Sequence, residues 1–121
     1  MTARLMIVDD NEHFLAAARD LLELQGLHVL AVTSTAEDAA HMVGELKPDC
    51  VLVDVDLGPE SGFDVARRLT GEHGVRVVLI SAYSETEFAD LIAESPALGF
   101  ISKTEISANR VTALLGETPP G

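Results

Sequence analysis

Four apolar runs along this chain stop at polar or charged residues, and always at their C-terminal ends. Leu5-Met6-Ile7-Val8 runs into Asp9-Asp10, Cys50-Val51-Leu52-Val53 into Asp54, Val75 to Ile80 into Ser81, and Phe100-Ile101-Ser102 into Lys103. Apolar runs this short, separated by amphipathic stretches, read as buried strands of a parallel sheet. The pattern predicts strands over 4–9, 28–33, 50–54, 76–81 and 99–102, and helices over 12–25, 35–46, 62–70, 84–94 and 105–115. In the first helix Phe14, Leu15, Ala18, Leu21 and Leu22 have the spacing of one buried face, and Gly26 stops it. Thr35 is placed to cap the second helix, Lys47-Pro48 follows its end, the third begins after Gly62, and Thr104 is placed to cap the last. A strand–helix alternation repeated five times predicts an α/β domain with right-handed crossovers and helices on both faces of the sheet.

In such a sheet every strand C-terminus points the same way, and ligand sites form along that carboxyl edge. Asp9, Asp10, Asp54, Ser81 and Lys103 therefore gather there. One acid at a strand-to-helix junction is explained as a helix cap. Two acids beside Asp54 and Asp56 on an adjacent strand are not. Each close like-charge pair costs on the order of 1–4 kcal/mol in a surface-like dielectric, so a bound cation or a retained proton is needed to relieve it. Oxygen-only donors at an open edge favour Mg²⁺, with Mn²⁺ as the alternative ion. Asp54 is the candidate nucleophile, because a carboxylate attacking phosphorus gives an acyl phosphate. Lys103 can neutralise one phosphoryl oxygen and Ser81 can donate a hydrogen bond to another. Taken singly, Lys103 is a surface lysine and Ser81 a strand-end residue; their joint position raises them.

Composition narrows the reading. With 121 residues, 47 % of them hydrophobic, the chain suits one domain with one core. No apolar stretch is long enough to cross a bilayer, and no signal peptide is visible. The lone Cys50 excludes an internal disulfide and sits in an apolar strand, so we expect an inert core thiol and a cytoplasmic setting. A net charge of −12, with no basic cluster larger than Arg67-Arg68, argues against direct contact with nucleic acid or anionic membranes. His13, His28, His41 and His73 are scattered without metal-ligand spacing. We assign residues 1–116 to the domain and 117–121, with Pro119-Pro120, to a tail or the start of a linker.

In order and spacing, Asp9-Asp10, Asp54, Ser81 and Lys103 resemble the receiver domain of two-component response regulators. The loop from Val51 to Gly62, with its glycine eight residues after the acceptor, resembles that family too. The resemblance covers nearly the whole chain and implies a CheY-like, flavodoxin-like sheet of order 2-1-3-4-5. It implies that Asp54 takes a phosphoryl group from a phosphohistidine on a sensor kinase or phosphotransfer protein. Asp10 and Asp54 would ligate Mg²⁺ directly, Asp9 through water, and Asp56 through its backbone carbonyl. Phe100 matches the aromatic that moves with Ser81 in the family's switch, although an edge-strand core aromatic would look the same. Asp56 and Tyr83, two residues beyond Asp54 and Ser81, are placed to set the phosphate's lifetime, unless they are merely solvated loop side chains. A downstream output protein or fused output domain is implied as partner, and the face of the fourth and fifth helices (Leu91, Ile92, Val111, Leu114) is a candidate homodimer surface. Two departures stand out: Thr104 follows the lysine where many relatives have proline, leaving the Lys103-Thr104 peptide's isomer open, and the loop proline is shifted to Pro59.

Two other classes compete. Asp54-Val55-Asp56 resembles the DxD motif of haloacid-dehalogenase-type phosphohydrolases, but here the acidic pair precedes the nucleophile. Too little sequence follows Lys103 to supply another. A phosphorylation-independent scaffold module would be expected to lack the acidic pair, the acceptor or the lysine, and none is missing. The expectation is a receiver that catalyses its own phosphorylation and dephosphorylation without being a multiple-turnover enzyme.

Overall fold

The computed structural model describes residues 2–116, so the segment 117–121 lies outside the described residues. Five parallel strands, β1 (Arg4–Val8), β2 (His28–Thr33), β3 (Cys50–Asp54), β4 (Arg76–Ser81) and β5 (Gly99–Ser102), form one sheet. Their order is β2-β1-β3-β4-β5, as expected for the flavodoxin-like arrangement. The strands are nearly continuous apolar runs because helices cover both of their faces. On one face α1 (Glu12–Leu24) and α5 (Ala108–Leu115) place Leu15, Ala18, Leu22, Val111 and Leu115 on Leu5, Ile7, Leu52, Val78 and Ile80. On the other, α2 (Ala36–Leu46) and α3 (Gly62–His73) pack Ala39, Val43, Ala66 and Leu69 against Met6, Val8, Val51, Val53 and Leu79. Each fully buried aliphatic side chain contributes about 1.5–3 kcal/mol, which fixes the sheet as the rigid part of the molecule.

The boundaries depart from the sequence reading in informative ways. The first strand ends at Val8 rather than at residue 9, because Asp9 already turns: its Oδ1 accepts the Asn11 N–H at 2.9 Å. Neither acid caps α1; Asn11 does, accepting the Phe14 N–H. Thr35 caps α2 as expected. Helix α3 runs past the predicted 70 to His73, since Gly71 is tolerated on an exposed turn and Gly74 makes the stop. The predicted helix 84–94 is a 3-10 turn over Glu85–Phe88 followed by a short α4 (Ala89–Glu94). Phe88, at φ −120°, breaks the helix between them.

The last helix starts at Ala108, not 105, after a 3-10 turn over Lys103–Glu105. Its cap is Ser107, which accepts the Arg110 N–H, and not Thr104. A start at Ala108 puts Ala108, Val111, Thr112 and Leu115 on one buried stripe. The Gln25 amide oxygen supports that start by accepting the Ala108 N–H at 2.7 Å. A two-stranded antiparallel hairpin, Asp56–Leu57 with Glu60–Ser61, was not foreseen and lies directly after the Asp54 strand. No cis peptide occurs among the described residues, so the Lys103-Thr104 bond is trans.

Candidate functional site

Strands β1 and β3 are hydrogen-bonded neighbours with Val8 opposite Val53, so their next residues, Asp9 and Asp54, leave the sheet side by side. One carboxylate oxygen from each of Asp9, Asp10 and Asp54 lies within 4.8 Å of the others. Asp9 is wholly buried and Asp54 nearly so, whereas Asp10 is exposed. Lys103, just past β5, extends across the edge to this cluster. Its Nζ stands 2.7 Å from Asp9 Oδ2 and 3.1 Å from Asp54 Oδ2. The pair with Asp54 is a hydrogen bond. Its contact with the wholly buried Asp9 is the shorter of the two ion pairs.

The electrostatics follow from this packing. Burial pushes the Asp54 carboxyl up to about 6, with the Asp9 charge adding to the rise. The Asp56 N–H, which donates to Asp54 Oδ1 at 3.1 Å, and the Lys103 ammonium pull the other way. Burial alone would lower Lys103, but its contacts with Asp9 and Asp54 hold it above its ordinary value. Lys103 thus stays charged where two carboxylates need a cation. The donor set is all oxygen, three carboxylates against one ammonium, and it fits a hard divalent ion such as Mg²⁺. Asp9, Asp10 and Asp54 are the residues that could hold it.

Two glycines let the Asp54 strand and its loop close on this cluster. A Cβ on Gly62 would fall 1.9 Å from the Asp54 carbonyl oxygen and 2.6 Å from Val55 Cα. The N-terminus of α3 is therefore packed on the backbone of Asp54 itself, with the Gly62 N–H bonded to the Val55 carbonyl at 2.9 Å. Gly58 takes φ +73° in the hairpin turn, where a side chain would be strained and would approach Asp10 Oδ2. The Gly58 N–H donates to Asp56 Oδ1, so the Asp56 side chain shapes the turn.

The structure brings Asp9, Asp10, Asp54 and Lys103 together. Ser81 ends β4 one residue beyond Ile80, the register partner of Asp54; it is buried, and its Oγ accepts the Tyr83 N–H at 3.0 Å. Asp56 and Tyr83 are exposed just beyond Asp54 and Ser81. Phe100 is outside the cluster, in register with Leu79 and on the same sheet face as Ser81 by strand alternation. It is half-buried against Phe88, whose ring in turn meets Phe63, with centroids 6.4 and 6.1 Å apart. The sequence spacing places Phe14 on the core face of the first helix. In fact its ring lies under Lys103, Nζ standing 4.5 Å from the centroid. Its place one turn beyond the acidic pair was the available signal.

Residues 5–115 match the family described as the response regulator receiver domain, and the chain belongs to that family. It is 31 % identical over 110 residues to the DNA-binding transcriptional activator EvgA of Escherichia coli K12, covering 90 % of this chain and 54 % of EvgA. It is 29 % identical over 113 residues to the response regulator GacA of Pseudomonas viridiflava, covering 92 % of this chain and 53 % of that protein. The chain thus spans about half the length of the curated relatives it matches. A two-component response regulator of the LuxR family from Aurantimonas sp. SI85-9A1 superposes with a TM-score of 0.84 at 28 % identity, covering 99 % of this chain and 91 % of that one. Among the described residues no helix is long and apolar enough to cross a membrane.

Proposed function

We propose that this receiver accepts a phosphoryl group on Asp54 from a phosphohistidine of a sensor kinase or phosphotransfer protein. The observation that carries the reading is Lys103 bridging Asp9 and Asp54 at the carboxyl edge, a cation held where phosphoryl charge would arrive. Asp54 Oδ bonds to phosphorus as the P–N bond breaks. The imidazole leaves with the electron pair, and the product is an acyl phosphate on Asp54. Lys103 neutralises one phosphoryl oxygen, and the Ser81 hydroxyl donates to another after releasing the Tyr83 N–H. A bound Mg²⁺, or Mn²⁺, would supply charge neutralisation between the attacking carboxylate and the phosphoryl oxygens. Asp9, Asp10 and Asp54 would hold it, joined by the Asp56 backbone carbonyl.

The switch runs through Ser81 and Phe100, which share a sheet face, and shifts a population of loop arrangements read by an output protein or a fused output segment in the cytoplasm. That EvgA is a DNA-binding activator supports a fused output of that kind. Tyr83 restricts the hydrolytic water and Asp56 helps orient it, so Tyr83→Ala should shorten the phosphate's lifetime and Asp56→Asn lengthen it. Unchanged dephosphorylation rates in both variants would remove that role.

The deciding experiment is incubation with Mg²⁺ and acetyl phosphate, read by intact mass. One Mg²⁺-dependent phosphoryl adduct, absent in Asp54→Ala, is expected. No adduct, together with no binding of beryllofluoride, would overturn the reading, and steady multiple turnover of a phosphate ester would point to a hydrolase.

A further inference from the structure

Among the described residues, the ammonium of Lys103 meets the carboxylates of Asp9 and Asp54 and the face of the Phe14 ring 4.5 Å away. Phe14 is fixed there because it sits three residues past Asn11, whose side chain accepts the Phe14 N–H and sets the first turn of α1. The ring is half-buried at the margin of the α1–α5 core, and Lys103 is only 15 % exposed, so the contact is largely out of water. A cation over an aromatic face is attracted by the ring quadrupole, and more strongly when desolvated.

We infer that Phe14 is a positioning residue for phosphoryl transfer, holding the Lys103 ammonium over Asp54. The inference rests on the reading of Asp54 as phospho-acceptor. Both carboxylates are also candidate ligands of a divalent cation, so a cation at the cluster competes with Lys103 for them. The ring is the one neighbour of the three with no lone pair to offer a metal. Its attraction has no fixed hydrogen-bond direction either, so it draws the ammonium without committing an N–H. The N–H now given to Asp54 is freed when a cation takes that carboxylate, and the ring withholds none of the three protons from an incoming phosphoryl oxygen.

The test uses Phe14→Leu, Phe14→Tyr and trifluorophenylalanine incorporated at residue 14. Fluorination keeps the ring's shape while cancelling its quadrupole, which guards against a Leu variant that simply packs badly. The parent and Phe14→Tyr should form the Mg²⁺-dependent adduct with acetyl phosphate at similar rates, and the leucine and trifluoro proteins about five- to tenfold more slowly. Melting temperatures should not explain that order. Independently of activity, the Lys103 ε-methylene protons should show an upfield ring-current shift by NMR that persists when Mg²⁺ is added. If the parent forms its adduct but the trifluoro protein keeps pace, or if Mg²⁺ abolishes the ring-current shift, the role of Phe14 is overturned. A parent that forms no adduct overturns the acceptor reading itself, whatever the NMR shows.

Discussion

Asp54→Asn should make the metal-free protein more stable at neutral pH, although it removes the residue at the centre of the site. The carboxyl is raised from 3.8 to about 6 by burial and by Asp9. A shift of about 2 units corresponds to about 3 kcal/mol of penalty for ionising Asp54 in the fold. Because the folded pKa is the higher one, the folded state holds a proton that the unfolded chain has already released. Stability is therefore lost as pH rises from about 4 to about 6, and the full penalty remains above that. An amide keeps the shape and the acceptor for the Asp56 N–H but cannot ionise, and Lys103 retains Asp9 as its partner. The variant should exceed the parent by about 1 kcal/mol at pH 4.5 and about 3 kcal/mol at pH 7.5. The latter is a rise of roughly 8–12 °C in Tm for a domain of this size. Urea and thermal unfolding followed by circular dichroism in a chelator, across that pH range, would measure the gap. Other titrating groups are common to both proteins and largely cancel. Mg²⁺ should then narrow the gap, because only the parent offers three carboxylates; an ion at a hundred times its Kd restores about 2.7 kcal/mol. Equal stabilities at pH 7.5, or a gap that widens towards pH 4.5, would refute the argument.

Gly62→Ala should be severely destabilising, by about 3 kcal/mol or more, because a methyl group at that position overlaps the Asp54 carbonyl with backbone on both sides; a change in urea midpoint worth under 1 kcal/mol would contradict the packing described. Ser107→Ala should cost about 1 kcal/mol and Thr104→Ala no more than about half that, since only Ser107 caps α5; the reverse order in paired unfolding curves would restore the cap assigned from sequence. Val111, named from sequence as a dimer-face candidate, is wholly buried in the core and drops out of that surface; self-association through what remains of the face of α4 and α5 should be weak at about 20 mM salt and strengthen at about 0.5 M, where charge is screened. Residues 85–94 carry Glu85, Glu87, Asp90 and Glu94 and no basic residue, and Arg110 of α5 is already paired with Glu105, so a symmetric partner would bring acids against acids. Sedimentation equilibrium showing a stable dimer at low salt would count against this.

The sheet and the site edge were legible because each rests on a strong local signal. Buried parallel strands need unbroken apolar runs, and the polar residue ending each run marks the carboxyl edge. Strand order came with the family resemblance, and the pairing of β1 with β3 then brought the acids together. What escaped was decided by contacts distant in sequence. Thr104 and Ser107 are equally good caps on paper; the buried stripe of α5 and the Gln25 amide oxygen choose between them. Gly62 was visible as a glycine at a given spacing, but its necessity lies in a backbone contact with Asp54. The hairpin after Asp54 is too short to carry a periodicity, and Phe14 looked like one more apolar position because its polar neighbour lies 89 residues away.

The two sides of the site differ in how firmly they are held, and the difference bears on how a phosphoryl group could be read. Asp9 and Asp54 leave strands whose side chains are buried on both faces, and α3 is pressed onto the backbone of Asp54. From Ala82 to Phe100, by contrast, no residue is buried, and neither the 3-10 turn nor α4 contributes a buried side chain. That segment leans on half-buried Phe88, Ile92, Ala97 and Phe100, with the Tyr83 N–H bonded to Ser81 Oγ at its root. Ser81 lies on the boundary, buried on the firm side and hydrogen-bonded to the loose one. A single hydrogen bond is worth about 1 kcal/mol net, and segments with little buried surface open at low free energy. Drawing the Ser81 hydroxyl towards Asp54 therefore sets a small cost on one side against a weakly docked helix on the other. An energy of a few kcal/mol can then redistribute the Tyr83–Phe100 segment while leaving the acidic cluster in place. A site built instead with its hydroxyl on a helix as deeply packed as α3 would bind the same group and transmit nothing.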